Sequence, residues 1–300
     1  MEGNQFSYEG MPSKDQNLTF NELEKYLIKK LSIEDLDQDI LKTLGLLEAK
    51  IGFNHAAQLF ADKNSFKLVD LVRYGVDINE FKERLTVENE SILIAYAKSL
   101  EMYRRYYQVE RIEGDERQKI ELIPENAFRE AIANALVHRD WSINSFIKVE
   151  MFENYIDISS PGVLPKGISE EEYINGKFSL LRNEKVGTLF YRLGIIEKFG
   201  TGIKRIKHQY KGKLKKPIFK VGPNSIYVRL PVLIDDMDDL SKNSSIIYQK
   251  MPKSVEMSRD AIEKITGFDK SKVLRGLEQL IADNLVSRVG RGRGVRYIKY

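Results

Sequence analysis

Three polar residues in the middle of the chain have a spacing that chemistry could use. In the stretch Pro124-Glu-Asn-Ala-Phe-Arg-Glu-Ala-Ile-Ala-Asn-Ala-Leu-Val-His-Arg-Asp-Trp141, the residues Glu130, Asn134 and His138 recur every four positions. They share one stripe of a helix predicted over Glu125–Val137. A carboxylate and an amide one turn apart can hold a water and a magnesium ion, the carboxylate acting as general base and the amide oxygen as metal ligand. The same spacing suits a structural use, in which Glu130 pairs with a basic neighbour and Asn134 satisfies a local hydrogen bond. Spacing alone favours that plainer use. The small Ala127, Ala131 and Ala135 beside the stripe let another element approach closely.

A second concentration of chemistry lies at the C-terminal end. Residues 241–300 hold 13 Lys+Arg against six Asp+Glu, while the whole 300-residue chain carries a net charge of only +4. Such asymmetry predicts one polyanion-binding module on a nearly neutral body. The elements there stand in helix-turn-helix order: a helix over Ser245–Lys250, a second over Arg259–Thr266 capped by Ser258, a turn through Gly267, and a third over Lys270–Asp283. A hairpin follows, with the tip Gly290-Arg-Gly-Arg-Gly294. In the third helix Val273, Leu274, Leu277, Leu280 and Ile281 form the inward stripe, leaving Ser271, Lys272, Arg275 and Gln279 outward. A winged helix-turn-helix on double-stranded DNA is the expectation. Lys270, Ser271, Lys272, Arg275 and Gln279 would enter the major groove, and Arg288, Arg291, Arg293 and Arg296 would reach phosphates or the minor groove.

These two regions need a body to hold them. Helices are predicted over residues 19–31, Asp35–Glu48 and Ala56–Ala61, with Thr19 as a cap, after an irregular start over 1–17. A buried strand covers Lys67–Tyr74, and residues 80–107 read as mostly helical. A hairpin (Gln108–Ile112 with Gln118–Leu122) precedes the helix of the stripe. Strands over Phe146–Phe152 and Tyr155–Ser159, helices over Val186–Leu193 and Gly202–Tyr210, and strands over Ile218–Val221 and Ile226–Pro231 follow it. The composition is that of a globular chain, 42% hydrophobic and 31% charged, with no cysteine and only His55, His138 and His208. It excludes disulfides and thiolate metal sites. No apolar run is long enough for a membrane span, and no signal peptide is evident, so a cytoplasmic address and no membrane partner are expected.

Four motifs in succession resemble a known family: the helix of the stripe, Ser159-Ser-Pro-Gly-Val-Leu-Pro165, Leu181-Arg-Asn183, and Ile196-Glu-Lys-Phe-Gly-Thr-Gly202. Together they look like the GHKL-type ATP-binding module at the C-terminal end of bacterial Schlafen AlbA-type, RecG-related proteins, many labelled transcriptional regulators. The resemblance covers roughly residues 20–235. It implies an α+β fold: a GHKL-like α/β sandwich over 116–234, preceded by a mixed α/β region over 1–115 and followed by a linker over 235–243 and a winged helix over 244–300.

The resemblance also implies ATP and Mg²⁺ as cofactors. Asn134 would hold the metal and Glu130 would activate water. His138, Ser160, Gly162, Arg182 and Asn183 would line the nucleotide site, with Gly200, Thr201 and Gly202 on the phosphates at a helix N-terminus. One departure stands out, because Ser160 occupies the place where the family carries an Asp for the adenine amine. The glycine-rich lid is also short. A helicase motor is excluded: it needs a Gly-x-x-x-x-Gly-Lys-Ser/Thr loop, whereas Gly176-Lys177 precedes Phe178 and Gly212-Lys213 precedes Leu214. The resulting expectation is a DNA-binding regulator with a nucleotide-binding module, a homodimer on two-fold sites. An ATPase with secondary DNA binding and a nucleotide-free dimerisation scaffold are the alternatives.

Overall fold

The computed structural model describes residues 7–113, 115–164, 167–175, 181–197, 201–233, 242–290 and 292–299. The chain divides into two compact units. The first comprises Met1–Gln209 with Pro217–Pro231, and the second Tyr210–Lys216 with Val232–Tyr300. The fold is α+β throughout.

In chain order the first unit contains α1 (Asn21–Leu31), α2 (Gln38–Thr43), β1 (Leu47–Glu48), β2 (Gly52–Phe53), α3 (His55–Phe60), β3 (Lys63–Tyr74), β4 (Phe81–Glu90), α4 (Ile92–Tyr107), β5 (Gln108–Glu113), β6 (Glu116–Glu121), α5 (Glu125–His138), β7 (Ile147–Met151), β8 (Tyr155–Pro161), α6 (Glu170–Ile174), α7 (Glu184–Arg192), α8 (Gly202–Gln209), β9 (Ile218–Val221) and β10 (Ser225–Pro231). Its main sheet has six strands in the order β4-β3-β7-β8-β10-β9. Every neighbour is antiparallel except β3 with β7, which run parallel. Alternation puts Leu71, Val149, Met151, Ile156 and Ile158 on the buried face with α4 and α5. The helices' apolar stripes close that core, including Leu100, Tyr103, Phe128, Ile132 and Leu136.

This sheet crosses the boundary expected between residues 115 and 116. Strand β3 pairs with β7 from Val69↔Ile147 to Arg73↔Met151, so the N-terminal region completes the sheet instead of forming a separate body. Residues 80–107 also differ from expectation. Phe81–Glu90 is a strand, since Leu85 and Val87 alternate with polar residues and pair with Leu71 and Val69. The helix begins only at Ile92, capped by Ser91. Helix α2 is shorter than expected: Asp37 caps it by accepting from the Ile40 N–H at 2.7 Å, and Gly45 at φ 70° ends it. Thr19 is not the cap of α1. The Asp62 carboxylate, about 40 residues away in sequence, accepts from the Asn21 and Glu22 N–H groups, each at 2.9 Å. The start is not wholly irregular either, because Tyr8–Gly10 forms a short 3-10 turn and Pro12 bridges to Asn54.

The second unit contains α9 (Lys242–Lys250), β11 (Glu256–Met257), α10 (Arg259–Thr266), α11 (Lys270–Ala282), β12 (Val286–Val289) and β13 (Arg296–Lys299). Its three strands form an antiparallel sheet in the order β11-β13-β12. Ile247, Met251, Ile262, Val273, Leu277, Leu280 and Leu285 make its own core. The expected linker over 235–243 lies mostly outside the described residues, and its last two residues already belong to α9.

Candidate functional site

Helix α5 follows Pro124, whose fixed φ suits a helix start. Its buried face is Ala127, Phe128, Ala131, Ile132, Ala135 and Leu136. Glu130, Asn134 and His138 do share one face, and α8 packs against it. Gly202, the first residue of α8, sits so close that a Cβ there would collide with the side chains of both Asn134 and Glu130. The Asn134 amide and the Glu130 carboxylate lie side by side under Gly202. Burial raises the Glu130 carboxyl above its usual range, opposed by the charge of Arg205 and reinforced by Glu197. A helix N-terminus favours an anion, and here the first turn of α8 rests on Glu130 itself. Arg205 is engaged locally, pairing with Glu197 at 3.2 Å and donating to the Thr201 hydroxyl at 3.2 Å.

Behind this contact lies a small cavity of about 20 Å³, lined by Ala131, Asn134, Ala135 and His138 with Ile158, Ser160, Ile203 and Val228 among others. That is room for about one water. The surface His138 retains faces this cavity. Burial, followed by the nearby Arg182 charge, pushes its imidazole down to about 4, so it is neutral at pH 7. On the outer side of Glu130 a polar cleft of about 410 Å³ opens, lined by Arg129, Glu197, Arg205 and Gln209 as well.

The other expected nucleotide ligands are engaged within the fold. Ser160, 7% exposed, donates its hydroxyl proton to the Ala135 carbonyl at 2.9 Å. Gly162 adopts φ 123° and lies against Asp140, where a Cβ would collide. It does not line the cavity. Arg182 pairs with Asp140 at 3.0 Å and donates to the Val163 carbonyl. Asn183, 2% exposed, donates to the carbonyls of Val137 and Arg139, each at 2.7 Å, closing the C-terminal end of α5. Gly200 lies outside the described residues.

Sequence reasoning missed the residue at the centre of this knot. Arg139 is 1% exposed and donates to the carbonyls of Lys67, Leu68, Ile143 and Ser145. Its guanidinium lies 4.3 Å from the ring centre of the buried Trp141. Burial lowers it to about 10, still charged at pH 7. The available signal was the charged pair Arg139-Asp140 directly after an apolar helix. Glu9 was missed too: it is buried and its carboxylate accepts from the Lys185 and Val186 N–H groups, capping α7.

Residues 144–230 match the family described as "Putative ATP-dependent DNA helicase recG C-terminal". This supports an ATPase-like, GHKL-type module. The matched residues start after α5, so Glu130, Asn134 and His138 fall outside them. The crystal structure of the DIP2311 protein from Corynebacterium diphtheriae has a similar fold, with a TM-score of 0.66 at 18% identity. The similarity covers 98% of this chain and 64% of that one, so this chain spans less than two thirds of its length. No curated protein matches the chain.

The matched description makes nucleotide the ligand to test against the crevice. In this structure the Ser160 hydroxyl is bonded to α5, and the first turn of α8 lies against the Glu130–Asn134 pair, between the small cavity and the polar cleft. The described residues contain no cluster of acidic or histidine ligands suited to a metal ion.

In the second unit the polar chemistry faces outward. Ser258 caps α10 by accepting from the Ala261 N–H at 3.2 Å, Gly267 at φ 73° ends it, and Asp269 caps α11 by accepting from the Lys272 N–H at 3.0 Å. Lys270, Ser271, Lys272 and Arg275 are exposed along α11. Lys272 makes a weak exposed pair with Asp269 at 3.4 Å. Lys270 and Arg275 have no carboxylate partner among the described residues. Arg288 is exposed on β12, and Arg296 is half-buried on β13, donating to the Val295 carbonyl at 3.1 Å.

Gln279 departs from expectation. Gly276 lets α9 approach so closely that Gln279 accepts a hydrogen bond from the Ser244 hydroxyl at 2.7 Å, which turns it into the α9–α11 joint. The hairpin tip exposes Gly290, Gly292 and Gly294, the first two at φ 85° and 58°. Arg291 and the side chain of Arg293 lie outside the described residues. No helix among the described residues is long and apolar enough to cross a membrane.

Proposed function

We propose that this chain is a DNA-binding transcriptional regulator of the Schlafen AlbA-type, RecG-related kind. In this reading the second unit is a winged helix-turn-helix that grips duplex DNA, and the first is a GHKL-type body. One observation carries the reading: α11 leaves Lys270, Lys272 and Arg275 exposed, and neither Lys270 nor Arg275 has a carboxylate partner among the described residues. Three helices and a small sheet with a glycine-rich hairpin are the parts such a module needs. The basic surplus at this end supplies the attraction for phosphates. Fluorescence anisotropy of a labelled duplex tests it. Lys270→Glu with Arg275→Glu is expected to weaken binding by at least about thirtyfold. Equal affinity of this variant and the unaltered chain would refute it.

For the body, the match to an ATPase-like family supports a nucleotide-binding module, with the polar cleft beside Glu130 as the open side of its site. Calorimetry with ATP and Mg²⁺, with and without duplex, is expected to give saturable heat. Absence of binding would overturn this and leave the nucleotide-free scaffold, whereas tight magnesium-dependent binding keeps Glu130 and Asn134 in play for the ATPase alternative. Phosphate release by the unaltered chain and by Glu130→Ala would then decide whether Glu130 is the base.

A further inference from the structure

Strand β4 forms one edge of the six-stranded sheet, and it is ten residues long, whereas the opposite edge, β9, has four. Natural edges are short, bulged or charged so that they do not pair with another chain. On β4 the charges form an ordered row. Arg84, Thr86 and Glu88 alternate along the strand and are exposed, as is Lys82 at a bulge between the pairs Arg73↔Glu83 and Tyr74↔Phe81, while Val87 turns into the core. The row begins with two cations and ends with an anion.

Lys82 and Glu88 have no ion-pair partner among the described residues. Arg84 holds Asp70 through Nε and Nη2 at 3.1 and 2.8 Å, and its side chain keeps 60% of its surface exposed. Thr86 donates to the same Asp70 at 2.9 Å. No described strand pairs with the outer side of β4.

We propose that β4 is the homodimer interface of this chain, pairing antiparallel with β4 of a second copy across a two-fold axis. Directly opposite residues in an antiparallel pair lie on the same face. A two-fold axis perpendicular to the sheet, centred on Thr86, therefore sets Arg84 of each copy against Glu88 of the other, and Thr86 against Thr86. This symmetric register matches cation with anion, whereas a parallel arrangement in register would stack like charges. A second copy supplies that complementary row by symmetry, and its backbone would satisfy the open edge. The turn leading into β4 adds exposed Val76, Ile78 and Phe81 at each end of the joint.

Sedimentation velocity on the whole chain without DNA, over a concentration series, tests the interface. The unaltered chain is expected to sediment as a dimer. Glu88→Arg, which breaks no contact within the chain, should raise the dissociation constant by at least about tenfold, because it sets like charges opposite one another twice. Arg84→Glu should do the same, and the double variant with both changes should restore dimerisation. A monomer at every concentration would overturn the proposal. So would a Glu88→Arg protein that dimerises normally, or a double variant as weak as the single ones. Because no duplex is present, this outcome is independent of the DNA-binding reading.

Discussion

Helices α5 and α11 are similar in length, 14 and 13 residues, and each carries polar residues at helical spacing. On α5 the polar stripe faces inward, against the first turn of α8, and the motifs around it bind one another: Ser160 to Ala135, Asn183 to Val137 and Arg139, Arg182 to Asp140. On α11 the basic residues face outward and stay largely unpaired. A polar residue in a conspicuous pattern can thus serve the fold or serve a ligand, and what separates the two is whether its hydrogen-bonding capacity is already taken. Orphaning a buried polar group is expensive. Changes around α5 are therefore expected to appear as lost stability, and changes on α11 as lost binding.

The sharpest way to break this contrast is Arg139→Met. It removes a buried cation that holds four carbonyls, and is expected to cost about 3–5 kcal/mol in urea unfolding. A cost under about 1 kcal/mol would mean that the knot at the end of α5 is not structural. His138 offers a second route. Its folded value near 4 lies below the usual 6.5, so the unfolded chain takes up a proton first. Its contribution is complete above pH 6.5 and is lost as the pH falls towards 4, by up to roughly 3 kcal/mol. Thermal melts over that range should show the loss, and His138→Phe should flatten it. An unchanged profile would place His138 in solvent. Asn183→Ala, which orphans the Val137 and Arg139 carbonyls at the end of α5, should cost roughly 2 kcal/mol without altering DNA affinity. Smallest of all is Gln279→Ala on α11. Its loss should leave DNA affinity within about twofold and cost about 1 kcal/mol through the lost Ser244 bond. A large drop in affinity would show Gln279 turned towards the duplex after all.

Much of this arrangement was legible in the sequence where local signals are strong. Ser258 and Gly267 mark the ends of α10, and the four-residue spacing of Glu130, Asn134 and His138 put them on one face. Strand β4 was not legible because Leu85 and Val87 are its main apolar signal, and its pairing with β3 decides its state. The uses of Ser160, Arg182 and Asn183 depend on partners 19 to 46 positions away, which no local pattern records. Gln279 was misread because a helical wheel does not show that Gly276 admits α9 from the side.

The central claim is that cations of the second unit neutralise DNA phosphates. The most direct test is the slope of log binding constant against log salt for the whole chain, compared with a variant carrying Arg275→Ala, Arg291→Ala and Arg293→Ala. The account predicts a slope smaller by about two to three and a loss on the order of a hundredfold in affinity at physiological salt. An unchanged slope and affinity would contradict it.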